Sequence, residues 1–155
     1  MAIVDVLDYM PTEHPGRQQL IAILNRVCES LLPYQDPKTK MWYQLTTLTT
    51  TEGNYIESTG TTMFCYAMAK GARLGYLPNK FRDIAKQTFD GIIQYSTREN
   101  EDGTISITNA CAVAGLGGKQ NRDGSVAYYL SEPIRDDDPK GIGPFIFAAY
   151  ELNKQ

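Results

Sequence analysis

The segment from about Ser58 to Leu74 constrains this chain most. Met63, Phe64, Cys65, Tyr66, Ala67, Met68 and Ala69 run consecutively there. A helix over these residues has almost no polar face, and such a helix is stable only where other elements cover all its sides. Ser58 or Thr59 can cap its start, and Gly75 supplies the left-handed residue after its end. The flanking helices are of a different kind. One runs from the His14-Pro15-Gly16 turn to Pro33, with Leu20, Leu24, Val27, Cys28 and Leu31 on one face and Arg17, Gln18, Asn25, Arg26 and Glu29 on the other. A second spans about Asn79 to Tyr95, with Phe81, Ile84, Ala85, Phe89, Ile92 and Tyr95 as its apolar stripe. Both are half-exposed helices by their pattern.

Two further helices complete the reading. Met1, Val4, Leu7 and Met10 form an apolar face up to Pro11, and a last helix begins near Lys140 to Gly143, tolerates Pro144 in its first turn, and ends near Asn153. Between the helices, the MWYQLTTL segment has the content of a short extended stretch, and Thr104–Thr108 alternates like a strand after the Asp102-Gly103 turn. A weak repeat emerges: a half-exposed helix ending at Tyr34 or Tyr95, a short strand, a polar loop, then a more apolar helix, recurring after about sixty residues. Alternation of half-exposed and fully covered helices is what a double ring of helices requires. The expected fold is therefore all-α, with residues 1–155 as a single domain. Five helices are too few to close such a ring.

Composition narrows the function. Of 155 residues, 42% are hydrophobic and 21% charged, which excludes a disordered tail. The net charge of −3, with Lys and Arg scattered, gives no attraction to nucleic acid or to an anionic membrane surface. No stretch has the length of a membrane span. Cys28, Cys65 and Cys111 lie far apart, which argues against a disulfide framework and against zinc; buried free thiols are the expectation. No signal-peptide pattern opens the chain. The first helix is uncapped, so either it docks as a short terminal helix or upstream sequence has been lost.

Few residues offer chemistry. His14 is the single histidine and sits in a turn, where a capping or solvent role fits best. It supports neither a metal site nor a Ser-His-Asp arrangement. The GLGG stretch, Gly115–Gly118, has neither the spacing nor the following helix of a nucleotide loop and reads as a flexible loop. Glu52, Glu57, Glu132 and the run Asp136-Asp137-Asp138 lie in loops or at helix starts. Glycosidase chemistry uses such carboxyl groups, but capping accounts for Glu57 and for the Asp run. Trp42, Tyr43, Tyr55, Tyr128 and Tyr129 suit a sugar-stacking platform. Trp42 suits a plug in the core equally well.

Longer segments carry a resemblance. MWYQL, GNYIESTGTTMFCYAMAKGARLGYL, CAVAGLGG and DGSVAYYLSEPIRDDDPKGIGPFIFAAYE resemble glycoside hydrolase family 105, the unsaturated rhamnogalacturonyl hydrolases, and the related family 88. The resemblance implies part of an (α/α)6 toroid and a substrate class, oligosaccharides ending in an unsaturated uronic acid. It implies an Asp that protonates C4 of the vinyl ether, water adding at C5, and no cofactor. It also implies that the catalytic Asp and the His, Arg and Trp residues that grip the uronate precede the segments found here, so no catalytic residue and no metal ligand is assigned. By the same resemblance Glu57, Ser58, Lys140 and Gly141 are wall residues at the active-site end, where free backbone N–H groups would hold a carboxylate, and Trp42 lines the rim. Such a chain is expected to be inactive alone and to associate with itself, with a separate N-terminal half, or to act as a non-catalytic sugar-binding or assembly module. The free cysteines and the family both point to the cytoplasm.

Overall fold

A computed structural model describes residues 1–119 and 121–154. Helix α3, Ser58–Arg73, is the element around which the rest is arranged. Twelve of its residues are buried, among them Cys65, Met68, Ala69 and Lys70. Its partners are α1 (Ala2–Tyr9), α2 (Arg17–Leu31), α4 (Lys80–Tyr95) and α6 (Pro139–Asn153). A six-residue helix, α5, spans Val126–Ser131. Helices dominate this architecture, and the remaining order is confined to short ribbons.

Three antiparallel two-stranded ribbons connect the helices. β1 (Trp42–Tyr43) pairs with β2 (Ile56–Glu57), with Trp42 opposite Glu57. β3 (Thr97–Glu99) pairs with β4 (Ile105–Ile107), with Arg98 opposite Ser106. β5 (Ala110–Cys111) pairs with β6 (Ile134–Arg135). The repeat expected from the sequence is thus visible in space. α2 leads through the first ribbon into α3, and α4 leads through the other two into α6. A buried acidic residue stands immediately before each of these inner helices, Glu57 before α3 and Asp138 before α6.

α1, α3 and α6 run side by side in one direction. At the start of α6, Gly141 lies against Ser58 and Thr59. Further along, the Phe147 and Tyr66 rings are 5.6 Å apart, and near the end Arg73 Nε donates to Glu151 Oε2 at 2.6 Å. On the other flank of α3, Lys70 Nζ donates to Asp5 Oδ1 at 2.7 Å and to Asp8 Oδ2 at 2.6 Å, and the Tyr66 hydroxyl donates to Asp5. Burial disfavours the charged ammonium of Lys70, but the Asp5 and Asp8 carboxylates outweigh it and raise its pKa. A buried cation with its partners supplied pins α1 to α3; one left without them would cost several kcal/mol, of the order of 3–5.

α4 covers the outer side of this layer with Phe81, Ala85, Thr88, Gly91 and Ile92. The loop before β1 crosses it at Gly91, where a Cβ would fall 1.9 Å from the Thr39 carbonyl oxygen. The loop holds its shape through Asp36 Oδ2, which accepts from Thr39 N at 2.7 Å and Thr39 Oγ1 at 2.9 Å. The three thiols are free and buried. Burial pushes Cys28 up to about 11 and Cys65 up to about 12, so neither is a reactive thiolate at neutral pH.

Several sequence expectations need adjusting. α6 starts at Pro139, so Pro144 lies inside the helix rather than in its first turn. α5 was not foreseen; its six residues are too few to show a period, and it depends on Ser125 Oγ accepting from Tyr128 N at 3.1 Å. The glycine-rich stretch is not merely loose: Gly117 and Arg122 exchange backbone hydrogen bonds of 2.8 and 3.1 Å. Gln120 of that stretch and the last residue, Gln155, lie outside the described residues. Gly91→Ala is expected to lower stability by about 2–3 kcal/mol, since backbone rather than a flexible side chain would have to move; a urea unfolding midpoint measures it.

Candidate functional site

The N-terminal ends of α3 and α6 meet at one end of the helical layer. An open cleft of about 550 Å³ lies there, lined by Gln44, Glu57, Thr59, Met63, Val113 and Lys140 among others. This volume falls within the range of small-molecule sites, and the apolar wall with few polar groups is of their general kind.

Glu57 is tied on three sides. Thr59 N donates to Oε1 at 2.9 Å, Gly60 N donates to Oε2 at 2.6 Å, and Cys111 N donates to Oε1 at 3.0 Å. The carboxylate therefore caps α3 and also fastens β5 to it. Asp138 caps α6, accepting from Lys140 N at 3.0 Å and from Lys140 Nζ at 2.7 Å. The Lys140 hydrogen bonds hold the Asp138 carboxyl below the usual aspartate range. Lys140 Nζ also donates to the Ala112 carbonyl at 3.0 Å, and its side chain is 49% exposed. Its ammonium is the cation that lines the cleft, tied on one side to Asp138 and Ala112.

The expected site residues separate into three groups. Glu57 and Lys140 line the cleft. Ser58 and Gly141 sit beneath it, in the α3–α6 contact, both buried. Trp42 is in the core, 2% exposed, with Nε1 donating to the Leu31 carbonyl at 2.9 Å and its ring 5.3 Å from Phe64 in an edge-on arrangement. The rim assignment of Trp42 is thereby corrected: its indole N–H finds a partner only by pointing inward. The free N–H groups expected at the inner-helix starts are also corrected, because the protein's own Glu57 and Asp138 occupy them.

The aromatic platform does not assemble. Tyr43 faces a separate hollow near Pro33 and Pro37. Tyr128 and Tyr129 pack on each other with centroids 5.2 Å apart, and the Tyr128 hydroxyl accepts from Gly115 N at 3.1 Å. Tyr55 lies behind the cleft near Cys111, where burial raises its pKa, and its hydroxyl has no hydrogen-bond partner among the described residues. The Ser58 and Thr59 hydroxyls are likewise unpartnered. The Asp run is structural throughout. Asp136 pairs with Arg98 at 2.8 Å, and Asp137 accepts from Ser106 Oγ at 2.8 Å and Ile107 N at 3.0 Å. His14 Nδ1 accepts from Gly16 N at 3.1 Å in its turn. No cluster of metal-ligating side chains occurs among the described residues, and no helix among them is long and apolar enough to cross a membrane. Gln44 and Val113 escaped the sequence reading, and Thr59 reads there only as a candidate cap of α3. Thr59 had a signal, its place in the first turn of the most apolar helix; Gln44 and Val113 had none.

Comparison with known proteins decides the family. The family model described as Glycosyl Hydrolase Family 88 matches residues 1–155. The chain belongs to this family. Among curated proteins it is 32% identical over 157 residues to Protein Atu3128 of Agrobacterium fabrum and to a 24.9 kDa protein in the picA locus of Rhizobium radiobacter, covering 97% of this chain and 66% of each relative. Among solved structures, a family 105 glycoside hydrolase of C. acetobutylicum superposes with a TM-score of 0.95 at 47% identity, covering 98% of this chain and 42% of that one. A family 88 glycosyl hydrolase from Bacteroides vulgatus superposes at 0.71 with 22% identity, covering 97% and 39%, and shares the fold. The toroid expected from the sequence is the fold these relatives have, and the chain spans under half the length of these solved relatives.

Glu57→Ala is expected to cost about 2 kcal/mol, since it strands N–H donors of both α3 and β5; chemical denaturation reads it. Asp138 contributes stability that is present above the ordinary aspartate value and is lost as pH falls through its lowered one. Asp138→Asn is accordingly expected to flatten that part of the acid limb in a series of urea midpoints against pH.

Proposed function

We propose that this family 88 chain, as the C-terminal portion of an (α/α)6 glycoside hydrolase domain, forms one wall of a sugar site for oligosaccharides ending in an unsaturated uronic acid, and supplies no catalytic acid itself. The observation that carries this is the cleft at the meeting of α3 and α6, in which both nearby carboxylates, Glu57 and Asp138, are committed to capping. A general acid must reach the substrate with its proton, whereas both Glu57 oxygens are already engaged by backbone N–H groups of α3 and β5. Lys140 is the group suited to meet a uronate or a ring hydroxyl, with Thr59 and Gln44 beside it.

In the complete enzyme the resemblance implies, an Asp outside this chain protonates C4 of the C4=C5 double bond. Water adds at C5, and the hemiketal collapses to release the next sugar. The unsaturated rhamnogalacturonyl products of pectin breakdown are the proposed substrates, and the three free cysteines accord with a reducing cytoplasm. A non-catalytic carbohydrate-binding or assembly role is the second reading. It is favoured by the absence, among the described residues, of an unengaged carboxylate at the cleft.

Two measurements on the isolated chain test the proposal. Incubation with an unsaturated uronyl disaccharide is expected to leave the ultraviolet absorbance of its double bond unchanged, and turnover would overturn the non-catalytic assignment. Calorimetry with the same disaccharide is expected to show binding near the millimolar range, weakened about tenfold by Lys140→Met; a folded chain that binds nothing removes the sugar wall.

A further inference from the structure

A second hollow opens beside the cleft and shares Val113 with it. It measures about 180 Å³, against about 550 Å³ for the cleft, and Arg122, Tyr128 and Glu132 complete its lining. All four residues belong to one stretch of chain, folded on itself by the backbone bonds between Gly117 and Arg122 and by α5. Tyr128 is held in place, since its hydroxyl accepts from Gly115 N at 3.1 Å and its ring packs against Tyr129. Arg122 and Glu132 face each other as an ion pair of an unusual kind. Their side chains are 24% and 11% exposed, so both have lost most of their water. Yet Arg122 Nε stands 4.0 Å from Glu132 Oε1, beyond hydrogen-bond reach, and among the described residues the guanidinium donates to no other partner. A charged donor and a charged acceptor that are largely buried without meeting leave hydrogen-bonding capacity unused, which is costly unless a third group completes it.

We infer that this hollow is a subsite for a neutral sugar unit, one hydroxyl of which bridges Arg122 and Glu132. The inference rests on the sugar reading of the cleft and adds a specificity determinant to it. A hydroxyl accepts from one neighbour while it donates to another. Between these two side chains it accepts from the guanidinium and donates to the carboxylate, so both are satisfied at once. A uronate serves less well: it pairs with Arg122 but has no proton for Glu132, and it meets that residue as a like charge. The planar fork of Arg122 offers further N–H groups to an adjacent hydroxyl, and the C–H face of a sugar ring packs on an aromatic ring such as Tyr128. Size agrees, since the hollow has room for one sugar ring rather than two. Through Val113 it continues into the cleft, so a single oligosaccharide reaches both, with its acidic end near Lys140 and a neutral unit at Arg122.

Methyl rhamnoside, a neutral glycoside with adjacent hydroxyls and no carboxylate, isolates this subsite from the acidic end of the cleft. In amide NMR spectra of the full chain it is expected to shift resonances within residues 113–132, with half-saturation on the order of 10 mM. Arg122→Met is expected to weaken that binding about tenfold or more, and Glu132→Gln, which keeps the shape of the side chain, about threefold. The amide spectra of the two variants also report whether the fold around the hollow survives. Absence of shifts up to about 100 mM overturns the inference. Shifts that fall outside residues 113–132, or that ignore both substitutions, overturn it too. Tighter binding here of the methyl glycoside of galacturonic acid overturns the choice of a neutral unit. Rhamnoside binding without binding of the unsaturated uronyl disaccharide removes the uronate wall and keeps this subsite; the reverse result keeps the wall and removes the subsite.

Discussion

Glu57 gathers the cleft end of the molecule onto one carboxylate. Its two oxygens receive N–H groups from the first turn of α3 and from Cys111 on β5, and its backbone pairs with Trp42 across the first ribbon. The Glu57 carbonyl then accepts from Thr61 Oγ1, which in turn accepts from Trp42 N. Ribbon, helix and third-ribbon strand are thus fixed relative to one another, and the three bonds to the carboxylate are charge-assisted, roughly twice as strong as neutral ones. The backbone N–H groups at the start of α3 are satisfied in this way, which lets the helix be buried on all sides. Asp138 caps α6 in turn, and Gly141 of that helix packs against Ser58 and Thr59 at ordinary contact distance.

At the opposite end, ion pairs take over. Lys70 bridges α1 to α3, and Arg73 bridges α3 to α6 through Glu151, itself buried and also bound by Lys154. Burial alone would push Glu151 towards its neutral form; its two cations overcome this and keep its pKa below the ordinary range. The layer is consequently held by capping at one end and by paired charges at the other, with a dry middle of Cys65, Met68 and Ala69. Pairs of this kind fix the register of one helix against another more than they add stability.

The helices other than α5 were legible because apolar periodicity survives along them; the contrast between α3 and its flanking helices even foretold which would be covered. The ribbons were less so. β1 and β2 have two residues each, and their pairing joins Trp42 to Glu57 across a loop, a register that local pattern does not encode. Trp42 shows the limit for the site. An aromatic beside a polar loop serves a rim or a core equally, and the choice is made by Leu31, whose carbonyl accepts the indole N–H. Glu57 was recognisable as a cap from its place before Ser58, but its third donor, Cys111, lies far along the chain. Lys140 came from resemblance alone, since its position depends on Asp138 and Ala112 converging from separate segments.

The parallel course of α1, α3 and α6 directs the positive ends of their backbone dipoles the same way. Side by side, such ends repel, and the protein answers at α3 and α6 with its own acids rather than leaving the positive potential for a ligand. Two carboxylates outweigh two helix ends of about half a charge each, so the fixed framework of the cleft is acidic, and Lys140, half in solvent and paired with Asp138, offsets it. Replacing the Lys140 side chain would leave the cleft acidic and remove its hydrogen bonds to Asp138 and the Ala112 carbonyl, while the Glu57 bonds that join α3 to β5 stay in place.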